Sequence, residues 1–237
     1  MSKIEDQKNV YRYSPEDYDK LISFEDYQHN LTKHLDRHFD FTDKDVLDLG
    51  AGTGRLTGWI ARCAKSIQAY DSSKAMLKAA AQKLKPQHAD TLSFHVKSHQ
   101  DYAFEKNSAD IIISGWSLCY LVTDDPVNWE KTLRDLLTRF SATLRKAGRI
   151  IIIETMGTGC ATPTPPDHLI EYFEVLEDLC GFKKETIRTD YRFPDLGEAR
   201  RLVELFFGPQ TAAKIDPQTL LLPENTAIFS NPTCACN

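Results

Sequence analysis

From Asp45 onward, short apolar runs alternate with longer stretches whose apolar positions recur every three or four residues. That alternation predicts an α/β domain, with strands of a parallel sheet separated by helices packed on it. Strand-like runs fall at Val46–Leu49, Ser66–Tyr70, Leu92–Val96, Asp110–Ser114 and Arg149–Glu154. The last contains Ile150 to Ile153 and is apolar on both faces, as a central strand covered by helices on each side requires. Trp129, Leu133, Leu136, Leu137, Phe140 and Leu144 keep the spacing of one buried helical face, with Pro126 near its start and Gly148 past its end. Further helices are expected from Asp167 to Cys180, closed by Gly181, and from Leu196 to Phe207, closed by Gly208-Pro209. Phe182–Thr189 and Thr226–Ser230 read as two more strands that finish the sheet with an antiparallel member.

The first 40 residues differ in texture, being helical, charged and rich in tyrosine: Tyr11, Tyr13, Tyr18 and Tyr27. They predict a helical lid in front of the sheet, with aromatics that serve packing or face a ligand. No repeat or Gly/Ser linker interrupts the chain. The expectation is a single domain over 1–237, with a lid segment at 1–40 and a core at 41–237.

Composition narrows the function classes. The 237 residues carry a net charge of −5, which argues against broad, sequence-blind nucleic-acid binding. The longest aliphatic run, Ile150 to Ile153, is too short to span a bilayer, and no secretory signal is visible at the start. A cytoplasmic protein without nucleic-acid or membrane partners is expected. Its six cysteines, Cys63, Cys119, Cys160, Cys180, Cys234 and Cys236, form no CxxC pair, so reduced thiols are expected. His34 and His38 stand four apart on a helix, but no third ligand is placed by the sequence, and no metal is expected.

The candidate chemistry begins at Val46-Leu47-Asp48-Leu49-Gly50-Ala51-Gly52-Thr53-Gly54-Arg55-Leu56. In open α/β sheets, ligands bind beyond the carboxyl ends of the strands, so this first turn is the right place for a cofactor. A dinucleotide fingerprint needs G-x-G-x-x-G, and here the third glycine comes one residue early, with Arg55 where that fingerprint needs glycine. No Gly-Lys-Ser/Thr follows, which excludes a P-loop. The turn admits close backbone approach but is poorly shaped for pyrophosphate.

Asp48-Leu49-Gly50-Ala51-Gly52-Thr53-Gly54 resembles motif I of the class I S-adenosylmethionine-dependent methyltransferases. Four further segments follow in the family's order. The run Ile67 to Leu77 ends a strand in Asp71, placed to accept both ribose hydroxyls, followed by Ser72 as a small polar residue and by Met76 near the adenine. In Phe94 to Asp101, Ser98-His99 stands where the family commonly has an acid. Asp110 to Leu121 matches the fourth-strand motif, with Gly115 and Trp116 where cofactor and acceptor meet. Leu144 to Arg149 looks like the turn before strand five, with Ala147 in place of a glycine.

The resemblance covers roughly residues 45 to 155. It implies a doubly wound, mainly parallel seven-stranded sheet and S-adenosylmethionine as cofactor. The implied cofactor-binding set is Tyr18, Asp48, Gly50, Ala51, Gly52, Thr53, Gly54, Asp71, Ser72, Met76, Ser98, His99, Gly115 and Trp116. Asp71 would also suit a dehydrogenase, so a nicotinamide-dependent oxidoreductase and a non-catalytic methyltransferase-like binding subunit stand as alternatives.

Methyl transfer from a sulfonium needs little acid–base help when the acceptor is already nucleophilic. An acceptor hydroxyl or carboxyl would want a base or an orienting group. His99, Glu154 and Tyr191 are the candidate catalytic residues, with His168 a further possibility. Gly115-Trp116-Ser117-Leu118 is not the N/D-P-P-Y/F motif of adenine and glutamine methyltransferases. A small molecule or short peptide, accepting on O or N, is therefore the expected partner. Cys119 and Cys160 follow strand ends and would suit a thiolate-bound substrate, though buried small hydrophobes explain them more simply.

Overall fold

The computed structural model describes residues 14–231. Tyr11, Tyr13, Cys234 and Cys236 lie outside that range. The described chain divides into two compact units. One comprises the residues up to Phe39 with Thr155–Pro166 and Thr186–Ala227; the other comprises Asp40–Glu154, Asp167–Glu185 and the residues from Ile228 on.

In the order of the chain, helices α1 (Pro15–Ser23) and α2 (Asn30–His38) come first. Strand β1 (Asp45–Leu49) is followed by α3 (Arg55–Ile60), β2 (Ser66–Asp71), α4 (Lys74–His88) and β3 (Leu92–Val96). Then come β4 (Ala109–Gly115), the short α5 (Tyr120–Asp124), α6 (Trp129–Thr143) and β5 (Leu144–Thr155). The chain continues with α7 (Ile170–Glu174), β6 (Lys183–Arg188), β7 (Tyr191–Arg192), α8 (Leu196–Phe207) and α9 (Pro209–Ala212). It closes with β8 (Leu221–Leu222) and β9 (Asn225–Ser230).

Seven strands form one sheet in the order β3-β2-β1-β4-β5-β9-β6, and β7 pairs antiparallel with β8 in a second, small sheet. The pairs β1–β2, β1–β4, β2–β3 and β4–β5 are all parallel. Strand β9 runs against β5: the Asn231 N–H donates to the Ile150 carbonyl, while the Met156 N–H donates to that of Asn225. The strand order reverses between β1 and β4, and a ligand crevice opens at such a reversal.

Burial follows the apolar pattern. Ile150 to Ile153 are at most 3 % exposed, each side chain contributing roughly 2 kcal/mol by leaving water. Trp129, Leu133, Leu136, Leu137 and Phe140 form the buried face of α6. The segment expected as the turn before strand five falls within β5, and there Ala147 takes φ +72°, the left-handed conformation for which a glycine is suited. The expected helix over Asp167 to Cys180 is instead a 3-10 turn, the short α7 and a π-turn over Val175–Leu179. In that turn the Cys180 N–H reaches back to the Val175 carbonyl, and the same apolar spacing buries Tyr172, Phe173, Val175 and Leu176.

Candidate cofactor site

The turn after β1 is built on three glycines at positive φ: Gly50 (+78°), Gly52 (+54°) and Gly54 (+84°). Gly50 and Ala51 both donate their N–H groups to the Tyr70 carbonyl, at 2.7 and 2.9 Å. A Cβ on Gly50 would stand 1.9 Å from Ser117 Oγ, so the turn after β4 closes directly on this glycine. Gly54 precedes α3, and a Cβ there would meet Leu84 at 2.7 Å. Asp48 lies under the turn at 1 % exposure and accepts the Thr57 hydroxyl on Oδ2, while Oδ1 has no partner. Burial, opposed by the Thr57 hydrogen bond and reinforced by the charge of Asp71, pushes Asp48 up to about 7. Asp48 therefore acts as a buried anchor of the turn, with Thr53 (1 % exposed) alongside.

Asp71 ends β2 and ties two loops together. Its Oδ2 accepts the Gly52 N–H at 2.9 Å, and its Oδ1 accepts the Ser73 N–H at 2.7 Å. Burial raises this carboxyl, and the two amides pull it back down. Each oxygen keeps an acceptor direction free after its amide is satisfied. Ser73, rather than Ser72, caps α4, its hydroxyl accepting the Met76 N–H at 3.3 Å. Ser72 is exposed and Met76 is buried at 5 %.

Beyond β3, the Ser98 hydroxyl donates to Asp101 Oδ2 at 2.6 Å, so the acid missing from the expected position returns three residues later. His99 Nε2 lies 2.9 Å from Ser117 Oγ, and its ring stands edge-on to Tyr102. Beyond β4, Trp116 takes φ +48°, a strained conformation for a bulky side chain, and its N–H donates to the Ile153 carbonyl. The Arg55 guanidinium lies over the Trp116 ring at 4.7 Å, so a cation already occupies one ring face. A Cβ on Gly115 would meet Leu56 at 2.6 Å.

Glu154 follows Ile153 on β5 and is fully buried. Its Oε1 accepts the Cys119 N–H at 3.0 Å and the Tyr172 hydroxyl at 3.2 Å, and its Oε2 has no partner. Glu154 thus holds the turn carrying Trp116 and Ser117 from below. Burial raises it to about 7 against the lowering effect of Cys119 and Tyr172. Burial and the nearby Glu154 in turn push the Cys119 thiol up, which keeps it protonated and removes it as a thiolate ligand.

The folded chain keeps the Glu154 proton up to about pH 7, whereas the unfolded chain releases it near the ordinary 4.5. The stability tied to the protonated form is full below the unfolded value and lost as pH rises through about 7. Glu154→Gln keeps an oxygen at the Oε1 position without titrating. The stability difference between wild type and variant is expected to shift by roughly 3 kcal/mol toward the variant from acid to mildly alkaline pH. Denaturant melts that run parallel across that range would refute this.

Tyr18 and Tyr191 belong to the other unit. Tyr18 tilts against Phe206, and Tyr191, 4 % exposed, donates its hydroxyl to Glu25 Oε2 at 3.1 Å. His168 is exposed in the 3-10 turn. His34 and His38 stack ring on ring at 4.4 Å. Three contributors were not read from the sequence: Ser117, which meets Gly50; Thr57, which donates to Asp48; and Tyr172, which donates to Glu154. The signal for Ser117 was its place in the fourth-strand motif, and Thr57 faces the glycine turn one helical turn after Thr53.

A family model described as a methyltransferase domain matches residues 46–148, the span from β1 through the turn into β5. These residues carry a methyltransferase domain, and the likenesses that follow support a class I S-adenosylmethionine-dependent methyltransferase. The demethylmenaquinone methyltransferase of Lactococcus lactis is 26 % identical over 224 residues, covering 87 % of this chain and 82 % of that protein. Among solved structures, the DhpI–SAH complex superposes with a TM-score of 0.59 at 15 % identity, covering 98 % of this chain and 97 % of DhpI. A Haemonchus contortus phosphoethanolamine N-methyltransferase 1, solved with phosphoethanolamine and S-adenosylhomocysteine, gives 0.55 at 14 % identity, covering 100 % of this chain and 51 % of that one. These likenesses bear out the seven-stranded fold.

The enzyme's cofactor is S-adenosylmethionine. The residues present fit it: the Gly50 turn has no space for side chains, and Asp71 holds a fixed carboxylate with acceptor directions to spare. The nicotinamide-dependent alternative is set aside by the methyltransferase domain. Among the described residues no helix is long and apolar enough to cross a membrane.

Proposed function

We propose that this methyltransferase acts on an oxygen or nitrogen nucleophile of a small molecule or short peptide. The turn after β4 carries this reading. It presents Trp116 and Ser117 in place of an amide-gripping motif and is locked by Glu154 from below and by Ile153 from the side. Such a turn offers a rigid apolar wall with one hydroxyl, suited to positioning a compact acceptor rather than extracting a base or a glutamine amide.

When bound, S-adenosylmethionine supplies a sulfonium-activated methyl group for in-line displacement. Asp71 takes the ribose hydroxyls, and the backbone of Gly50 to Gly54 borders the aminoacyl part, with Asp48 anchoring the turn. Ala51, Ser72, Met76, Ser98 and Gly115 complete the assigned set. His99 is assigned to proton handling, because its ring reaches Ser117 on the wall itself. Glu154 is assigned to holding that wall, since its described contacts are the Cys119 N–H and the Tyr172 hydroxyl.

Trp116→Ala is expected to lower turnover about tenfold while changing S-adenosylhomocysteine affinity by less than threefold, since it removes wall and not cofactor anchor. Untouched turnover would leave Trp116 as packing alone. The acceptor class itself is tested by labelled-methyl transfer over phenols, carboxylates, amines and short peptides. Transfer confined to carbon or sulfur acceptors would overturn the proposal.

A further inference from the structure

Arg55 stands where a dinucleotide fingerprint has glycine, and no cofactor contact proposed above falls to it. It opens α3 directly after Gly54, and its guanidinium lies 4.7 Å from the centre of the Trp116 ring. That contact is one of three between the same two segments. A Cβ on Gly115 would lie 2.6 Å from Leu56 Cδ1, and one on Gly50 would lie 1.9 Å from Ser117 Oγ. Gly115, Trp116 and Ser117 therefore meet Leu56, Arg55 and Gly50 in turn. The glycine turn and the turn after β4 interlock residue by residue, and all six residues lie in one of the two compact units.

Trp116 is the strained member of the six. A tryptophan at φ +48° persists only where its surroundings over-determine it. The main chain is accounted for: the Trp116 N–H donates to the Ile153 carbonyl at 2.6 Å, and the Cys119 N–H donates to Glu154. The side chain has one polar partner. Among the described residues the indole makes no hydrogen bond and meets no other aromatic ring, which leaves the guanidinium of Arg55 against its face.

Backbone hydrogen bonds fix where a side chain starts but not how it turns about χ1 and χ2. A half-buried indole held by its main chain alone has several rotamers open to it. A guanidinium suits the task of choosing one. It is planar, weakly hydrated and stacks on aromatic faces, whereas a lysine ammonium is a compact, strongly hydrated charge.

We infer that Arg55 is a positioning residue for methyl transfer, holding the Trp116 ring in place as acceptor wall and tying that wall to the cofactor turn. The inference rests on the proposed role of the β4 turn as that wall. Arg55 is joined to Gly54, so a cofactor seated against the glycine turn is felt at the indole through the guanidinium. The residue that spoils the turn for pyrophosphate thereby orients the surface that meets the acceptor.

The test is fluorine NMR on the whole chain labelled with fluorotryptophan. Trp59, Trp116 and Trp129 each give a signal, and Trp116→Phe identifies that of Trp116. Arg55→Met removes the charge and keeps an unbranched side chain. In it the Trp116 signal is expected to move or split while that of Trp129 stays, with S-adenosylhomocysteine affinity within threefold of wild type. Arg55→Lys, which restores a cation without the plane, should fall between the two. Saturation with S-adenosylhomocysteine should shift the wild-type Trp116 signal, and that response should shrink at least threefold in Arg55→Met.

The contact can also be read from its other side. With isotope-labelled arginine, the δ protons of Arg55 should lie upfield under the indole ring current and return to the ordinary arginine range in Trp116→Leu. An unmoved Trp116 signal in Arg55→Met, S-adenosylhomocysteine binding weakened there by more than threefold, or Arg55 protons alike in wild type and Trp116→Leu would each overturn the inference. None of these signals needs a methyl acceptor, so failure of the acceptor screen and failure of this inference are distinguishable. Once that screen supplies an acceptor, Arg55→Met should lower kcat about tenfold and leave the KM for S-adenosylmethionine within threefold. An unchanged kcat would overturn the positioning role.

Discussion

Asp71→Ala is expected to weaken S-adenosylhomocysteine binding by a hundredfold or more. The carboxylate is fixed before any ligand arrives, because the Gly52 and Ser73 amides each hold one oxygen. No side-chain ordering is then left to oppose binding. Hydrogen bonds to a charged acceptor contribute about 1.5–3 kcal/mol each, and two of them to vicinal hydroxyls account for roughly 3–6 kcal/mol. Every 1.4 kcal/mol is about tenfold, which places the loss at two to four decades. Asp71→Asn is no gentle control, since its NH2 would confront one of the two backbone donors. It should fall close to the alanine variant. Calorimetry showing unchanged affinity in Asp71→Ala would remove Asp71 from the site.

Gly50→Ala should be the most damaging single methyl in the chain. At φ +78° an L-residue carries a strain of about 1–2 kcal/mol, and the added carbon would lie 1.9 Å from Ser117 Oγ. Ser117 cannot step aside cheaply, because His99 holds its hydroxyl and its neighbour Trp116 is fixed to Ile153. Stability should drop by roughly 3 kcal/mol, with cofactor binding lost at ordinary concentrations. Adding Ser117→Gly to the same chain opens the space and should recover the clash component while leaving the backbone strain. Denaturant melts of the single and double variants measure both parts. A Gly50→Ala chain as stable as wild type would show that the two turns do not meet.

Much of the cofactor site was legible because its signals are local. The glycine spacing, Arg55 in the excluded position and Asp71 at a strand end each sit within a few residues of what they act on. The helix Leu196–Phe207 and the strand Leu92–Val96 match the sequence reading residue for residue, since one apolar period runs through each. What escaped depends on strand register. Ser114 pairs with Ile152 and Gly115 with Ile153, and only that register brings Glu154 beneath Cys119. The π-turn at Val175–Leu179 escaped because an i→i+5 turn and an α-turn bury the same apolar pattern.

The antiparallel strand β9 also constrains how the chain comes together. β6 is separated from β5 in the sheet by β9, although it precedes β9 in the chain. While the chain emerges from a ribosome, the five parallel strands can pair in sequence, but β6 has no edge to join until Asn225–Ser230 has been made. The sheet is thus completed outward from β9, its last-synthesised strand, and a nascent chain halted before residue 225 carries the whole glycine turn together with an open edge on β5.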